Sequence, residues 1–352
     1  MKSVKIKKIP VGILGVTGMV GQKLLSLLQN HPWFDVAAVA ASKNSKGKKL
    51  GSFTIYSAED DIEEISKKCR IIFSAINAKN EQKDFIKKIE EAYAARGVAV
   101  VSNNSAHRWT KDVPMIIPEI NPHHLDIIRA QRKKRGWTSG LIVTKPNCSV
   151  QSYVPLLHAW KKLVPKRVIV STYQAISGAG KNLETWPEMA DNVIPYISGE
   201  EEKSEQEPSK ILGRINKLKK DEFVLEDAIK ISANCIRVPV TDGHLAAISV
   251  EFQKETSGKE LIKLLEDFKN PLASLNLPSA PMPLITYFKE PDRPQTRIDR
   301  DLYNGMGISV GRIRRDQVLG WKCVALSHNT IRGAAGGSVL TAELLVKKGY
   351  IK

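Results

Sequence analysis

Cysteine is scarce in this chain: Cys69, Cys148, Cys235 and Cys323 are the four in 352 residues. They lie far apart and none forms a CxxC pair, which argues against a zinc site and against a disulfide scaffold, so no metal is expected. Aromatic residues make up only 6% of the chain, too few and too scattered for a base-stacking platform. No run approaches the roughly 20 apolar residues of a membrane span. The opening Met1-Lys2-Ser3-Val4-Lys5 is basic but runs straight into a strand. It lacks the apolar core of roughly 7–15 residues and the cleavage site of a secretory signal. A soluble, cytoplasmic protein with no membrane partner is expected.

Negative charge is also in deficit. The net charge is +17, and such an excess fits either nucleic acid or small anionic substrates. The lysines are spread along the chain, as in Lys43–Lys49, Arg132–Arg135 and Lys217–Lys220. We therefore read most of them as solvated surface and expect no nucleic-acid partner. The length suits about two domains. Short apolar strands at Ile9–Gly15, Phe34–Ala40, Arg70–Ile76 and Gly97–Ser102 alternate with helices from Thr17 to about Asn30 and near 81–96. That alternation predicts a doubly wound parallel sheet of Rossmann type, an α/β fold, over residues 1–147. From Arg167 the texture changes. Val168–Gln174, Ile236–Phe252, Ile308–Ile313 and Trp321–Leu326 read as longer strands, predicting an α+β domain over 148–329 with a mostly antiparallel sheet. Ser198–Lys210 reads as an exposed loop or helix end. A small-residue stretch at Gly333–Ser338 leads into a last helix over 330–352, expected to pack back on the first domain.

Three features carry chemistry. Cys148, in Thr144-Lys145-Pro146-Asn147-Cys148-Ser149, follows the apolar run Leu141–Val143, where a strand gives way to the next element. His244 ends Arg237-Val-Pro-Val-Thr-Asp-Gly-His244, far downstream. A nucleophilic thiol needs a base or cation to form thiolate and later a proton donor. The third feature is a glycine loop, Gly12-Ile-Leu-Gly15-Val-Thr17-Gly18-Met19-Val20-Gly21, between strand and helix. Its spacing is not GxGxxG, but its glycines equally let backbone approach a pyrophosphate at a helix N-terminus. An NAD site usually places Asp or Glu after the second strand. Here stand Ala41-Ser42-Lys43-Asn44-Ser45-Lys46, which favours NADP over NAD. Thiol, histidine and nicotinamide site together point to redox chemistry through a thioester.

With these residues the chain resembles the aspartate-semialdehyde dehydrogenases, in their archaeal and fungal branch. The likeness runs nearly end to end: the glycine loop, Ser102–Arg108, Pro146–Ser149, Ser171–Gly180, Gly199–Lys203, Arg237–His244 and Asn329–Gly337. The resemblance implies NADPH-dependent reductive dephosphorylation of L-aspartyl 4-phosphate to L-aspartate 4-semialdehyde, on the way to lysine, threonine and methionine. It implies Cys148 as nucleophile, His244 as general acid/base and Gln174 as the residue orienting the acyl group. Arg237 and Glu200 would hold the substrate's carboxylate and ammonium, Arg108 and Lys203 its phosphate, with Asn147 beside the nucleophile. Gly15, Thr17, Gly18, Met19, Val20, Ser42, Ser45, Ser177, Gly178 and Asn329 would bind NADP. It further implies a homodimer or homotetramer.

Three residues depart from the family pattern. Asn44 stands where an arginine often serves the 2′-phosphate, Val150 where threonine usually follows Cys-Ser, and Pro155 seven residues after the cysteine. If the next helix starts only near Val154, its dipole aids Cys148 less. A malonyl-CoA reductase or an N-acetyl-γ-glutamyl-phosphate reductase on the same scaffold remains open here, and more distantly a non-catalytic basic nucleotide-binding protein. His107, His123, His124, His158 and His328 are read as structural or exposed.

Overall fold

The computed structural model describes residues 8–76 and 82–351. The opening basic segment and the first residue of the helix expected near 81–96 lie outside them.

The apolar run Ile9–Leu14 forms β1 and leads through the glycine loop to α1 (Met19–Leu28). There follow β2 (Phe34–Ala41), a small hairpin of β3 (Lys49–Leu50) and β4 (Phe53–Thr54), then β5 (Tyr56–Ser57) and α2 (Ile62–Lys68). Acids open α2 and lysines close it, matching the helix dipole. Next come β6 (Ile71–Ser74), α3 (Lys83–Ala95), β7 (Ala99–Ser102), α4 (Ile128–Arg135) and β8 (Leu141–Thr144). The six larger-sheet strands run β5-β2-β1-β6-β7-β8, every pair parallel. β6, β7 and β8 are buried along their whole length, as a sheet covered on both faces requires. Strand order reverses at β1, so the crevice beyond its C-terminal end is where a dinucleotide site belongs.

The second half opens with α5 (Val154–Ala159), β9 (Pro165–Gln174) and α6 (Glu200–Leu212). A short hairpin follows, β10 (Arg214–Ile215) with β11 (Phe223–Val224), then β12 (Lys230–Arg237), β13 (His244–Phe252) and α7 (Gly258–Glu266). The chain ends with β14 (Ile285–Phe288), α8 (Thr296–Asp299), β15 (Ile308–Asp316), β16 (Gly320–Ser327) and α9 (Ala335–Lys347). The sheet order is β12-β9-β13-β16-β15-β14. It is mixed, with three of five pairings antiparallel and both edge strands parallel to their neighbours. The stretch expected as one strand over Ile236–Phe252 is two, because Pro239 and Gly243 (φ +98°) break it between β12 and β13. Along β9, Val168, Val170, Thr172 and Gln174 are buried, while Ile169 and Tyr173 are exposed. One face of this sheet therefore packs a core and the other is uncovered.

One expectation is corrected in α6, and α9 (Ala335–Lys347) is shorter than the helix expected over 330–352. Ser198–Lys210 is not an exposed loop: Ser204, Glu207, Pro208, Lys210 and Ile211 of α6 are buried. Glu200, Lys203, Glu207 and Lys210 meet partners inside the protein while Glu202 and Glu205 stay exposed, a division that a run of charge cannot reveal. In α9 every residue from Ala335 to Leu345 is buried, and the helix packs against α1 and β7 of the parallel sheet. Its small opening residues permit that closeness.

Candidate active site

β8 delivers Pro146-Asn147-Cys148 to the junction of the two sheets. Cys148 is half-buried and caps a 3₁₀ turn over Ser149–Gln151, while α5 begins only at Val154, with Pro155 in its first turn. The proline is thus tolerated, and no long helix dipole points at the thiol. Asn147 holds the turn, its Oδ1 accepting from the Ser149 amide at 2.8 Å and the Ser149 hydroxyl at 2.7 Å. Its Nδ2 donates to both carboxylate oxygens of Glu200, at 2.9 and 3.0 Å.

Glu200 opens α6, and one turn on Lys203 donates to Glu200 Oε1 at 2.9 Å. Gln174, at the end of β9, donates to Thr172 at 3.2 Å and to Glu200 Oε2 at 3.4 Å. Parallel pairing sets Arg237 of β12 beside Gln174, and Arg237 Nη1 donates to the Ala175 carbonyl at 2.6 Å. His244 starts β13, and its Nδ1 accepts from the Ala175 amide at 3.1 Å. The neutral ring thus carries its proton on Nε2, which is buried with no hydrogen-bond partner among the described residues. A Cβ at Gly178 would stand 2.7 Å from Arg237 Nη1 and 3.2 Å from His244 Nε2, and a Cβ at Gly333 would stand 2.6 Å from the Cys148 Cβ. These two glycines let backbone close on histidine and arginine at one point and on cysteine at another.

Arg108 is reached through an intermediary. Its Nη1 donates to Glu207 Oε1 at 2.7 Å, its Nε to the Lys145 carbonyl at 2.9 Å and its Nη2 to the Asn103 carbonyl at 3.2 Å. Among the described residues, one Nη1 and one Nη2 N–H of the five guanidinium N–H groups have no partner, which leaves them available to an anion. Lys210 donates to the carbonyls of Arg108, Thr110 and Val113, tying that loop to α6. Sequence reasoning missed Glu207 and Lys210. The signal was their spacing from Glu200 and Lys203, which puts all four on one helical face.

Burial pushes the Cys148 thiol up to about 12, with Glu200 adding to the rise and Arg237, Arg108 and Lys203 opposing it. Burial and the Arg237 charge drive His244 down to about 3. Burial alone would raise the Glu200 carboxyl, but Lys203 and Asn147 together hold it below its ordinary value. The resting site thus holds a neutral thiol, a neutral imidazole and an ionised carboxylate.

The glycine loop lines a cavity of about 440 Å³. Gly15, Thr17, Gly18 and Ser42 border it, joined by residues not singled out from sequence: Glu59, Ala75, Ile76, Gln82, Phe85 and Ile89. Gly15 has φ +82°, and a Cβ there would collide with the Ala75 backbone. Gly18 caps α1 without a side-chain bond, and no acid occupies the helix's first turn. Free amides in a space shaped by glycine fit a dinucleotide pyrophosphate. Met19 and Val20 open α1 and Ser45 ends a 3₁₀ turn over Lys43–Ser45, none of them lining that cavity. Ser177, Gly178 and Asn329 sit on the cysteine side instead, Asn329 donating to Ser177 Oγ at 2.8 Å and accepting from the Gly243 amide at 2.8 Å. The other three cysteines are buried and unpaired. Among the described residues no helix is long and apolar enough to cross a membrane.

Two family models match the chain: the semialdehyde dehydrogenase NAD binding domain over residues 10–128 and the semialdehyde dehydrogenase dimerisation domain over 155–332. An aspartate-semialdehyde dehydrogenase of Archaeoglobus fulgidus is 44% identical, the match covering 97% of this chain and 99% of that protein. One of Candida albicans is 40% identical, covering 97% and 98%. The crystal structure of the Candida albicans enzyme with NADP superposes with a TM-score of 0.85 at 36% identity, covering 98% of this chain and all of that one. Aspartate semialdehyde dehydrogenase II of Vibrio cholerae gives 0.76 at 26% identity, covering 97% of this chain and all of that one. With likeness of sequence and fold from end to end, the chain belongs to the aspartate-semialdehyde dehydrogenase family.

Proposed function

We propose that the protein catalyses the NADPH-dependent reductive dephosphorylation of L-aspartyl 4-phosphate to L-aspartate 4-semialdehyde and phosphate, a step of lysine, threonine and methionine biosynthesis. The observation that carries this reading is the ring of complementary charge around Cys148: Glu200 and Lys203 on one helix, Arg237 beside Gln174, and Arg108 with two free N–H groups. A small zwitterion bearing a phosphate needs that set. The relatives' names favour it over the CoA-reductase and N-acetyl-γ-glutamyl-phosphate readings.

In this reading Glu200 takes the substrate ammonium and Arg237 its α-carboxylate, which aims the acyl phosphate at Cys148. The sulfur forms a bond to the acyl carbon as the carbon–oxygen bond to phosphate breaks, and the thiol proton leaves on the departing phosphate. Phosphate leaves into Arg108 and Lys203. The Nε2–H of His244, buried and unpartnered, donates to the acyl oxygen as it gains charge. Gln174 and Asn147 hold the carbonyl and the cysteine turn in register. Gly15, Thr17, Gly18 and Ser42 would hold the NADPH pyrophosphate end and Ser177, Gly178 and Asn329 its nicotinamide end, and the bound cofactor would supply the two-electron reduction. The carbon–sulfur bond then breaks, and the released Cys148 thiolate takes a proton from water.

The reading divides the chain into a dinucleotide-binding part, 1–147, and a substrate part, 148–329, with 330–352 returning to the first. It places the enzyme in the cytoplasm as a homodimer or homotetramer. Support for assembly comes from the uncovered face of the second sheet, where Ile169 and Tyr173 are exposed, and from the exposed Leu183, Val193 and Tyr196 nearby in sequence. The test is reduction of NADP by L-aspartate 4-semialdehyde in the reverse direction. Activity that requires phosphate and disappears in Cys148→Ser is expected. Activity independent of phosphate, or none from folded protein, defeats the reading.

A further inference from the structure

Sequence alone places no carboxylate at the end of the second strand, and the stretch Ala41–Lys46, with its two lysines, favours NADP. The tertiary structure changes both halves of that picture. β5 pairs in parallel beside β2, with Ala40 opposite Tyr56 and Ala41 opposite Ser57. The chain leaving β5 therefore emerges at the same edge as Ser42, and Glu59 lines the dinucleotide cavity together with Ser42 and Ala41. An acid reaches the ribose edge from a different strand.

The two lysines are also already engaged. Lys43 Nζ lies 3.2 Å from Glu59 and 3.3 Å from Asp60, and Lys46 Nζ lies 2.6 Å from Asp61. Two of these acids have structural duties: Asp61 accepts the Ser57 amide at 2.8 Å, and Asp60 accepts the Ser57 hydroxyl at 2.9 Å. Among the described residues, Glu59 is held by Lys43 alone, so its carboxylate can turn to a ribose. Asn44 adds no charge where the family often has arginine.

We propose that Glu59 is a cofactor-specificity residue: it accepts the ribose hydroxyls of NAD, opposes the 2′-phosphate of NADP, and lets this enzyme use NAD beside NADP. The physical basis is that a carboxylate pairs with a vicinal diol and repels a phosphate dianion in the same position. Lys43 works against it, as a counter-ion for either Glu59 or the phosphate. The proposal rests on the dinucleotide reading above but makes a separate claim about one side chain.

The test measures dissociation constants of NADP⁺ and NAD⁺ by calorimetry on the full chain, with the phosphate-dependent kcat/KM for each cofactor alongside. Wild type should bind and use both. Glu59→Gln should raise the preference for NADP by about tenfold, a discounted like-charge effect at a partly solvated rim. Lys43→Met should shift the preference the other way. Both side chains are partly exposed, so neither variant should unfold the protein. An unchanged ratio in Glu59→Gln, or shifts of the same sign in both variants, overturns the proposal while leaving the NADP reading intact. Loss of phosphate-dependent turnover in wild type would sink the reaction reading instead, and the binding ratios would still decide the role of Glu59.

Discussion

Glu207 is shared between Arg108 and the backbone of Asn147: Oε1 accepts from Arg108 Nη1 at 2.7 Å, and Oε2 accepts from the Asn147 amide at 2.6 Å. One buried carboxylate thus sets the distance between the guanidinium assigned to phosphate and the turn that carries Cys148. A neutral amide of the same shape cannot accept at both ends. Glu207→Gln should cost about 3 kcal/mol of stability, since it strands a buried charge, and should raise the KM for phosphate in the reverse reaction. Urea denaturation and phosphate titration measure the two effects. Wild-type values for both would show that Arg108 is oriented by the Asn103 and Lys145 carbonyls alone.

Gly178 tests the close approach of backbone to His244 and Arg237, which both bond the backbone of Ala175. Its backbone does not need glycine, since φ lies outside the left-handed region, yet an added Cβ falls 2.7 Å from Arg237 Nη1. Gly178→Ala should keep the melting temperature near wild type and lower kcat/KM by roughly a hundredfold through displaced groups. A fully active alanine variant would mean the guanidinium yields without consequence.

The thiol and imidazole make a statement about pH. With Cys148 pushed up to about 12 and His244 down to about 3, neither titrates near neutrality in the free enzyme. Alkylation of Cys148 by iodoacetamide should climb steadily from pH 6 to 9 with no plateau, because the thiolate is the reacting species throughout. His244→Asn should leave that slope unchanged. A plateau near pH 6 would reveal a resting thiolate–imidazolium pair and refute this description.

Lys145 supplies a stability test with a definite sign. Its ammonium is buried against Gly337, and burial first, then the Arg332 charge, lowers it to about 7 from an ordinary 10.5. Below pH 7 the amine is charged in both folded and unfolded chains and the full penalty is present. Between pH 7 and 10.5 only the unfolded chain holds the proton, so the penalty fades as pH rises. Lys145→Met, close in volume, should stabilise the protein by roughly 2 kcal/mol at or below pH 7, with the gain shrinking toward pH 10. Denaturation midpoints across that range decide it, and a gain that grows with pH would reverse the assignment.

Much of the fold was legible because local patterning carries it. Buried parallel strands are continuously apolar, as in Leu141–Val143, and glycine at Gly15 marks a turn no other residue makes easily. What misled was charge. Glu200 to Lys210 reads as solvated because a lysine or glutamate looks alike whether water or a buried partner neutralises it, and Arg108 and the carbonyls bound by Lys210 lie about a hundred residues away in sequence. The carboxylate at the ribose edge escaped for a related reason. The usual position after the second strand is empty of acid, and only the parallel pairing of β5 with β2 brings Glu59 there.

By itself the sequence determined the architecture of the first sheet and the glycine loop, and it nominated the thiol and imidazole proposed to react, because backbone freedom, hydrophobic period and side-chain chemistry are local properties. The tertiary structure decided which charges meet. It joined Glu207 to Arg108, closed Gly178 on His244 and Arg237, and left Nε2 of His244 without a partner. Electrostatic energy depends on distance and burial, and neither quantity exists until the chain has folded.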